Sequence, residues 1–384
     1  MRKFSPPIKR LASSIAALVL LSGPLASAQS PAPADAIRLE QQGRLAEAEK
    51  AWRSVVAASP NDAAAFASLG VVLSKQEKYP EAAGAYRKAL ALDPTLPGIP
   101  LNLGLAEFKR GQFARAIAPL RAALKQDPSS LQARTLLGMS YYGAKRFSEA
   151  VDSLEPLVQS DAENGELRRI LAQSCLETKK YSCAEEQFRR ILEHDPDSAD
   201  AHILTGEALD GLGRTDEAIA EFEQARKLAP KEPEIHFGLG YLYWKSRKYD
   251  DAATAFEQEL SISPNHAQSL AYLGDIELKR NNLEDAASFL EKSIQQRNDL
   301  RIAFLDLGEV RGHKKQYPDA IKAYERAVEL DPSQPDAHYR LGRIYMAMGQ
   351  AERAKLEFAK TSELHEKNDA AAVLKLNKPQ PAPQ

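Results

Sequence analysis

The chain has 384 residues, and its 51 lysine and arginine residues nearly balance its 53 aspartate and glutamate residues, giving a formal net charge of −2. Four of the basic residues and none of the acidic ones lie in the first 28 positions, so the remainder carries 47 basic against 53 acidic groups, a net charge of −6. Because nucleic acids attract proteins with concentrated basic charge, this mildly acidic remainder argues against a nucleic-acid partner.

The first element in chain order has the features of a leader. Four basic residues precede an apolar run at 11–21, and Ala-Ser-Ala follows at 26–28. This combination is typical of a secretory signal peptide, so we expect 1–28 to be removed and the chain to be exported. The alternative is an uncleaved membrane anchor, for which the apolar run is short. The compartment would be the periplasm in a diderm bacterium; otherwise the protein would be secreted.

After the leader, alanine recurs at every thirty-fourth position, ten times in succession. The series is Ala48, Ala82, Ala116, Ala150, Ala184, Ala218, Ala252, Ala286, Ala320 and Ala354. Twelve positions before eight of these alanines stands a glycine, as at Gly70 and Gly104, and a proline follows seven of them by twelve positions. A period of this length indicates stacked supersecondary units, and the two small residues would let paired antiparallel helices approach closely.

Bulky residues follow the same register. Four positions after each alanine stands an aromatic residue or leucine, as at Tyr86 and Leu120, and an aromatic residue commonly stands three positions before it, as at Tyr79. Spacings of three and four place these side chains on one helical face. The proline marks where the second helix of each unit has stopped.

This pattern resembles the tetratricopeptide repeat (TPR) family, whose 34-residue helix–turn–helix units have small, bulky and proline positions at these spacings. The resemblance implies an all-α, right-handed superhelical solenoid. An incomplete first repeat would occupy 29–62, and a helical cap with a Pro-rich disordered tail would occupy 369–384. Nine full repeats would occupy 63–368, at 63–96, 97–130, 131–164, 165–198, 199–232, 233–266, 267–300, 301–334 and 335–368.

No sequence motif for catalysis or cofactor binding interrupts this register. The chain has no zinc-protease helix motif, phosphate-binding glycine loop or dinucleotide fingerprint. We therefore expect no enzymatic activity, no cofactor and no metal site.

The resemblance implies that the first helix of each repeat lines a concave groove, mainly through positions 2, 5, 9, 12 and 13. Apolar and aromatic residues at such positions suggest contacts with a partner, although packing within the repeats is the alternative. The predicted partner-binding groove consists of Leu101, Leu105, Phe108, Met139, Tyr142, Phe237, Tyr241, Trp244, Tyr339 and Arg343.

The two cysteines, Cys175 and Cys183, belong to one repeat. Its two helices could bring them together, and an exported compartment permits a disulfide. A pair of free thiols is the alternative, because position 19 of the repeat, where Cys183 lies, is acidic in most other copies and so suggests an outward direction.

Together these features predict a non-catalytic exported scaffold or adaptor that binds a peptide or a partner helix in its groove. The alternative is a structural spacer or subunit of an envelope secretion, polysaccharide-export or outer-membrane assembly complex. Under either hypothesis the partner is a protein, the mature chain has no integral membrane segment, and association with an envelope complex would be peripheral.

Overall fold

The computed structural model describes residues 31–161 and 164–376, with side chains described over 33–161 and 164–370. The predicted signal peptide at 1–28 lies outside these residues, as does the end of the predicted Pro-rich tail. All regular secondary structure in the described residues is α-helical. The all-α prediction is therefore confirmed.

The described residues form two compact units that divide between Asp197 and Ser198. The first unit contains ten helices: α1 (Pro31–Gln41), α2 (Leu45–Ala58), α3 (Ala63–Lys75), α4 (Tyr79–Leu92), α5 (Ile99–Lys109), α6 (Phe113–Gln126), α7 (Leu131–Gly143), α8 (Phe147–Ser160), α9 (Gly165–Glu177) and α10 (Tyr181–His194). The incomplete first repeat thus contributes a helix pair of its own, α1 and α2.

The second unit contains the other ten described helices: α11 (Ala199–Gly211), α12 (Thr215–Leu228), α13 (Ile235–Lys245), α14 (Tyr249–Ile262), α15 (Ala267–Lys279), α16 (Leu283–Gln296), α17 (Arg301–His313), α18 (Tyr317–Leu330), α19 (Pro335–Ala347) and α20 (Ala351–Leu376). In both units each odd-numbered helix, here called an A helix, packs against the B helix that follows it. Each pair then packs on the next within its unit, which is the arrangement of a helical-repeat solenoid.

The recurring glycines bring the two helices of a pair together. A Cβ atom added at Gly70 of α3 would lie 2.5 Å from the Tyr86 ring of α4, and one added at Gly104 would lie 2.5 Å from Leu120 Cγ. The alanine that fixes the register is fully buried in every pair, from Ala48 to Ala354. The bulky B-helix residue therefore fills the space that the absent glycine side chain leaves open.

The turn that joins the two helices is the same in each pair. It contains a residue with positive φ, such as Gly111 at 70° or Lys145 at 60°, which lies fifteen residues into the repeat. The carbonyl of the residue that precedes the B helix then accepts a backbone hydrogen bond from the fourth residue of that helix, as the Arg146 carbonyl does from the Ala150 N–H at 3.0 Å. This common turn geometry lets one hairpin repeat without insertions.

Helix α13 begins two residues later than most A helices of the second unit. Glu234, with φ of 76°, precedes it, and the buried Glu259 carboxylate of α14 accepts the Glu234 N–H at 3.1 Å and the Phe237 N–H at 3.3 Å. An unpaired N–H group at a buried helix start is costly, so Glu259 fixes where α13 starts.

In the first unit a disulfide joins α9 and α10. The Sγ atoms of Cys175 and Cys183 are 2.04 Å apart, and Cys175 is fully buried. Cys175 lies in the last turn of α9 and Cys183 in the first turn of α10, so the bond links the end of one helix to the start of the next. It closes a loop across the turn of one repeat.

Candidate functional site

Three of the predicted groove residues do not line an open surface. Leu101, Phe108 and Met139 are only 8%, 4% and 1% exposed, so their assignment to a partner-binding groove was wrong. The Phe108 ring meets the Phe113 ring edge-on at 5.4 Å, and Phe113 also fills the space beside Gly143 of α7. Phe113 of α6 thus packs between the A helices α5 and α7, and this packing is favourable because it removes apolar surface from water.

The other predicted residues of the first unit are half-buried. Leu105 is partly covered within α5, and the Tyr142 hydroxyl donates a hydrogen bond to Gln173 Oε1 at 2.5 Å. Burial raises the pKa of Tyr142 above its ordinary value. The hydrogen bond ties Tyr142 to the next A helix, α9.

The second unit holds a cluster of partly exposed rings on α13 and α15. We call this cluster the aromatic patch; it consists of Phe237, Tyr241, Trp244 and Tyr272. The Trp244 and Tyr272 rings meet edge-on with centroids 4.9 Å apart, and the Tyr241 ring lies 5.9 Å from Tyr272 and 6.2 Å from Trp244. The sequence analysis placed three of these residues together but missed Tyr272.

The aromatic patch rests on the core of its own unit. The fully buried Phe256 ring stacks on Tyr272 at 5.4 Å with an interplanar angle of 9°, and Phe237 lies 5.9 Å from Phe256. Burial, together with the nearby acidic residues, raises the pKa of Tyr272 to about 12, so its hydroxyl stays neutral under physiological conditions. The inner edge of the patch is thus rigid, and its outer edge remains accessible.

A hydrogen bond and an ion pair hold Trp244 in position. The Trp244 indole N–H donates to Asp275 Oδ2 at 2.5 Å, and Lys279, one turn further along α15, forms an ion pair with the same carboxylate. The Lys279 ammonium also lies 5.8 Å from the Trp244 ring centroid, which adds a cation–π contact. Since Asp275 is buried, the indole orientation is fixed before any partner arrives.

Three long side chains of α19, the last A helix, are exposed. Tyr339 is 49% exposed, Met346 is 55% exposed, and Arg343 lies between them on the same side of the helix. Their spacing of four and three residues aligns them along one helical face. Two of these, Tyr339 and Arg343, are predicted groove residues, and the structure places both at the surface.

Charged residues occupy the A helices between the aromatic patch and α19. Arg301 of α17 pairs with Asp336, and Arg340 of α19 pairs with Glu309. Asp306 of α17 is only 5% exposed, and no hydrogen-bond donor among the described residues reaches its Oδ2 atom. Sequence reasoning missed this charged row, although position 6 of three successive repeats carries the unusual series Tyr272, Asp306 and Arg340.

The described residues can also be compared with the requirements of a metal site and of a membrane-spanning helix. Among the described residues, no group of three or more His, Cys, Asp and Glu side chains is placed to hold a metal ion. No helix in the described part of the chain is long and apolar enough to cross a bilayer. The described surface instead offers aromatic rings, a buried carboxylate and paired charges, which suit the recognition of another polypeptide.

Solved structures with a similar fold are helical-repeat proteins. The APC/C hetero-tetramer Cut9–Hcn1 matches with a TM-score of 0.51 at 14% identity, over 86% of this chain and 79% of that chain. Yeast Tom70 matches at 15% identity over 90% and 94% of the two chains, with a TM-score of 0.42. MamA from Desulfovibrio magneticus RS-1 matches at 24% identity over 44% and 97%, with a TM-score of 0.40. At these identities the likeness concerns fold alone.

No curated protein matches the chain. A family model described as "Tetratricopeptide repeat" matches residues 34–97, 101–164, 135–199, 171–233 and 237–300, which is more than half of the chain. Related repeat models match 211–258, 313–349 and 335–366. With its repeated helix pairs and these matches, the chain belongs to the tetratricopeptide repeat family, whose members serve as protein-interaction scaffolds.

Proposed function

We propose that the protein is a non-catalytic, exported adaptor that binds an extended peptide or a helix of a partner protein along the A helices of its second unit. The main structural support for this proposal is the aromatic patch. Its rings are partly exposed, yet the stacking on Phe256 and the bond from Trp244 to Asp275 hold them in one arrangement. Rigid aromatic side chains lose little conformational entropy on binding and dominate many protein interfaces.

The exposed residues of α19 extend the proposed surface. Tyr339 and Met346 add apolar area, and Arg343 adds a charge that forms no ion pair with the described residues. Binding along a row of parallel helices suits an extended ligand, because several modest contacts then act together.

Export is the second part of the proposal, and the basic start, the apolar run and the Ala-Ser-Ala sequence of 1–28 support it. An oxidising compartment would also suit the bond between Cys175 and Cys183. Fractionation followed by intact-mass measurement tests this part. We expect an envelope or secreted species that begins at Gln29, and a cytosolic species that retains Met1 would contradict export.

Crosslinking in the native cell, followed by purification and mass spectrometry, tests the binding surface. One variant carries Tyr241→Ala and Tyr339→Ala, which remove one partly exposed and one exposed ring without touching the Trp244–Asp275 bond. The matched control is Tyr243→Ala, because Tyr243 lies on the same helix α13 but turns its hydroxyl to Glu223 of α12. All three chains must show equal helicity by circular dichroism.

We expect a specific protein to be captured by the parent chain and by Tyr243→Ala, and to be lost from the Tyr241→Ala/Tyr339→Ala variant. A partner that all three chains retain equally would contradict the proposed surface. That result would favour the structural role, in which the array is a spacer or subunit of an envelope complex.

A further inference from the structure

The A helices of the second unit carry a row of charges beside the aromatic patch, and one acidic residue in that row has no basic partner. Three acidic residues are paired: Asp275 with Lys279, Glu309 with Arg340, and Asp336 with Arg301. Asp306 of α17 lies in the same row and forms no ion pair with the described residues. Arg343 is exposed on α19 and does not form an ion pair with Asp306.

Asp306 lies in an environment that disfavours a carboxylate. Its side chain is buried, and its Oδ2 atom accepts no hydrogen bond from the described residues. Burial raises the pKa of Asp306 to about 7, and the negative charge of Asp275 contributes, although Arg340 and Lys279 oppose the rise. A buried carboxylate without a donor is costly, and a donor that arrives from outside removes that cost.

The surroundings of Asp306 indicate which kind of donor fits. Lys279, Arg301 and Arg340 each form an ion pair with another acidic residue, and none of them forms one with Asp306 among the described residues, so a ligand could supply the missing donor. A lysine or arginine side chain carries its charge on a long apolar stem that can lie against aromatic rings while the charged end reaches inward. The Tyr272 ring, on the neighbouring A helix α15, lies close enough for the Asp306 charge to affect its pKa.

We propose that the second unit selects partner segments that combine an apolar residue with a basic one: the apolar residue packs on the aromatic patch, and the basic side chain pairs with Asp306. This inference rests on the proposed function and adds a chemical class of ligand to it. The specificity would come from the basic residue, since a neutral side chain at that position would leave Asp306 without a positively charged partner.

The geometry also limits the spacing in the ligand. Neighbouring packed helices lie about 10 Å apart, and an extended chain advances about 3.3 Å per residue. The aromatic patch occupies α13 and α15, and Asp306 lies on α17. The apolar and basic residues of an extended ligand should therefore be separated by about three to six residues.

Fluorescence anisotropy with the full chain and synthetic peptides tests the inference. The probes are fluorescein-labelled peptides that contain one phenylalanine and one lysine in a glycine–serine background. The number of residues that separates the phenylalanine from the lysine is varied from about three to six. A matched set carries glutamine in place of lysine. The protein variants are Asp306→Asn, which removes the charge but keeps the shape, and Asp319→Asn, which removes one exposed acidic charge from the B helix of the same repeat.

We expect the best lysine probe to bind the parent chain at least tenfold more tightly than its glutamine match. Asp306→Asn should reduce this preference to less than twofold, and Asp319→Asn should retain it. Because Asp306→Asn removes a buried charge, loss of folding is not expected, and circular dichroism verifies equal helicity.

Equal binding of the lysine and glutamine probes, or a preference that survives Asp306→Asn, would overturn the inference. If the phenylalanine probes bind without preference for lysine and the binding is lost in Tyr241→Ala, the inference fails while the proposed function stands. If no probe binds, or if Tyr241→Ala has no effect on binding, the result contradicts both the inference about the basic residue and the proposed binding function.

Discussion

Replacing Asp306 by asparagine should make the second unit more stable, and the gain should grow with pH. Asp306 is buried without a hydrogen-bond donor at Oδ2, so its charged form is disfavoured in the fold. Its pKa is about 7 in the folded chain against an ordinary value of 3.8. The folded state therefore binds more protons than the unfolded state between these two values, and stability falls as pH rises from about 4 to about 7.

The pKa difference sets the size of the effect. At 1.36 kcal/mol for each pKa unit, a rise from 3.8 to about 7 corresponds to about 4 kcal/mol at high pH. About 2–3 kcal/mol of this cost develops between pH 5 and pH 8, since Asp306 is largely protonated in the fold at the lower pH. Asparagine does not titrate, so the stability difference between variant and parent should increase by that amount over this interval.

Hydrogen exchange is the suitable assay, because a long repeat array need not unfold in one step. The amide of Val310, buried in α17, reports the local opening free energy at each pH after correction for intrinsic exchange. Asp319→Asn serves as the control and should follow the parent. A difference between Asp306→Asn and the parent that is the same at pH 5 and pH 8 would refute the reasoning.

Two further predictions concern the first unit. Gly70→Ala should cost about 1–3 kcal/mol because the new Cβ would lie 2.5 Å from the Tyr86 ring, whereas Gly84→Ala, which meets nothing within 4 Å, should gain up to about 1 kcal/mol. Hydrogen exchange of amides in α3 and α4 measures both, and equal effects would contradict the packing account. Cys183→Ala should lower the opening free energy of the α9–α10 hairpin by about 2–3 kcal/mol, since the bond to Cys175 closes a loop with a sequence separation of 8. Hydrogen exchange measures this loss, and free thiols in the unreduced parent would contradict it.

The repeat period was sufficient to predict the helix pairs. An alanine at every thirty-fourth position, with a glycine twelve residues before most of them, leaves one way to pack two helices closely. The structure shows that packing directly, with the Tyr86 ring occupying the space beside Gly70. Because each pair repeats the same local contacts, a sequence pattern within 34 residues determines the architecture of every pair.

Exposure along the A helices could not be predicted in the same way. Leu101, Phe108 and Met139 occupy repeat positions that face a groove in the family, yet neighbouring side chains cover them. Whether such a position is open depends on how side chains of its own repeat and of the next one pack together, as Phe113 shows by lying between Phe108 of its own repeat and Gly143 of the next. A pattern within one repeat does not contain that information.

Tyr272 and Asp306 were missed for a different reason. Both lie at position 6 of their repeats, which the sequence analysis did not treat as lining a binding surface. The residues at this position differ from repeat to repeat, and only the structure shows that Tyr272 joins the rings of α13 while Asp306 is buried without a partner. A break in a repeated pattern, here Tyr, Asp and Arg in succession, is the signal that could have identified them.

Site-specific photocrosslinking in the native cell tests the central claim most directly. A photoreactive phenylalanine analogue replaces Tyr241 in the aromatic patch in one strain and Thr254, exposed on the B helix α14 of the same repeat, in another. The account predicts a specific crosslinked protein from position 241 and none from position 254. Crosslinks to the same protein from position 254 alone, or from neither position while that partner still co-purifies, would contradict binding at the aromatic patch.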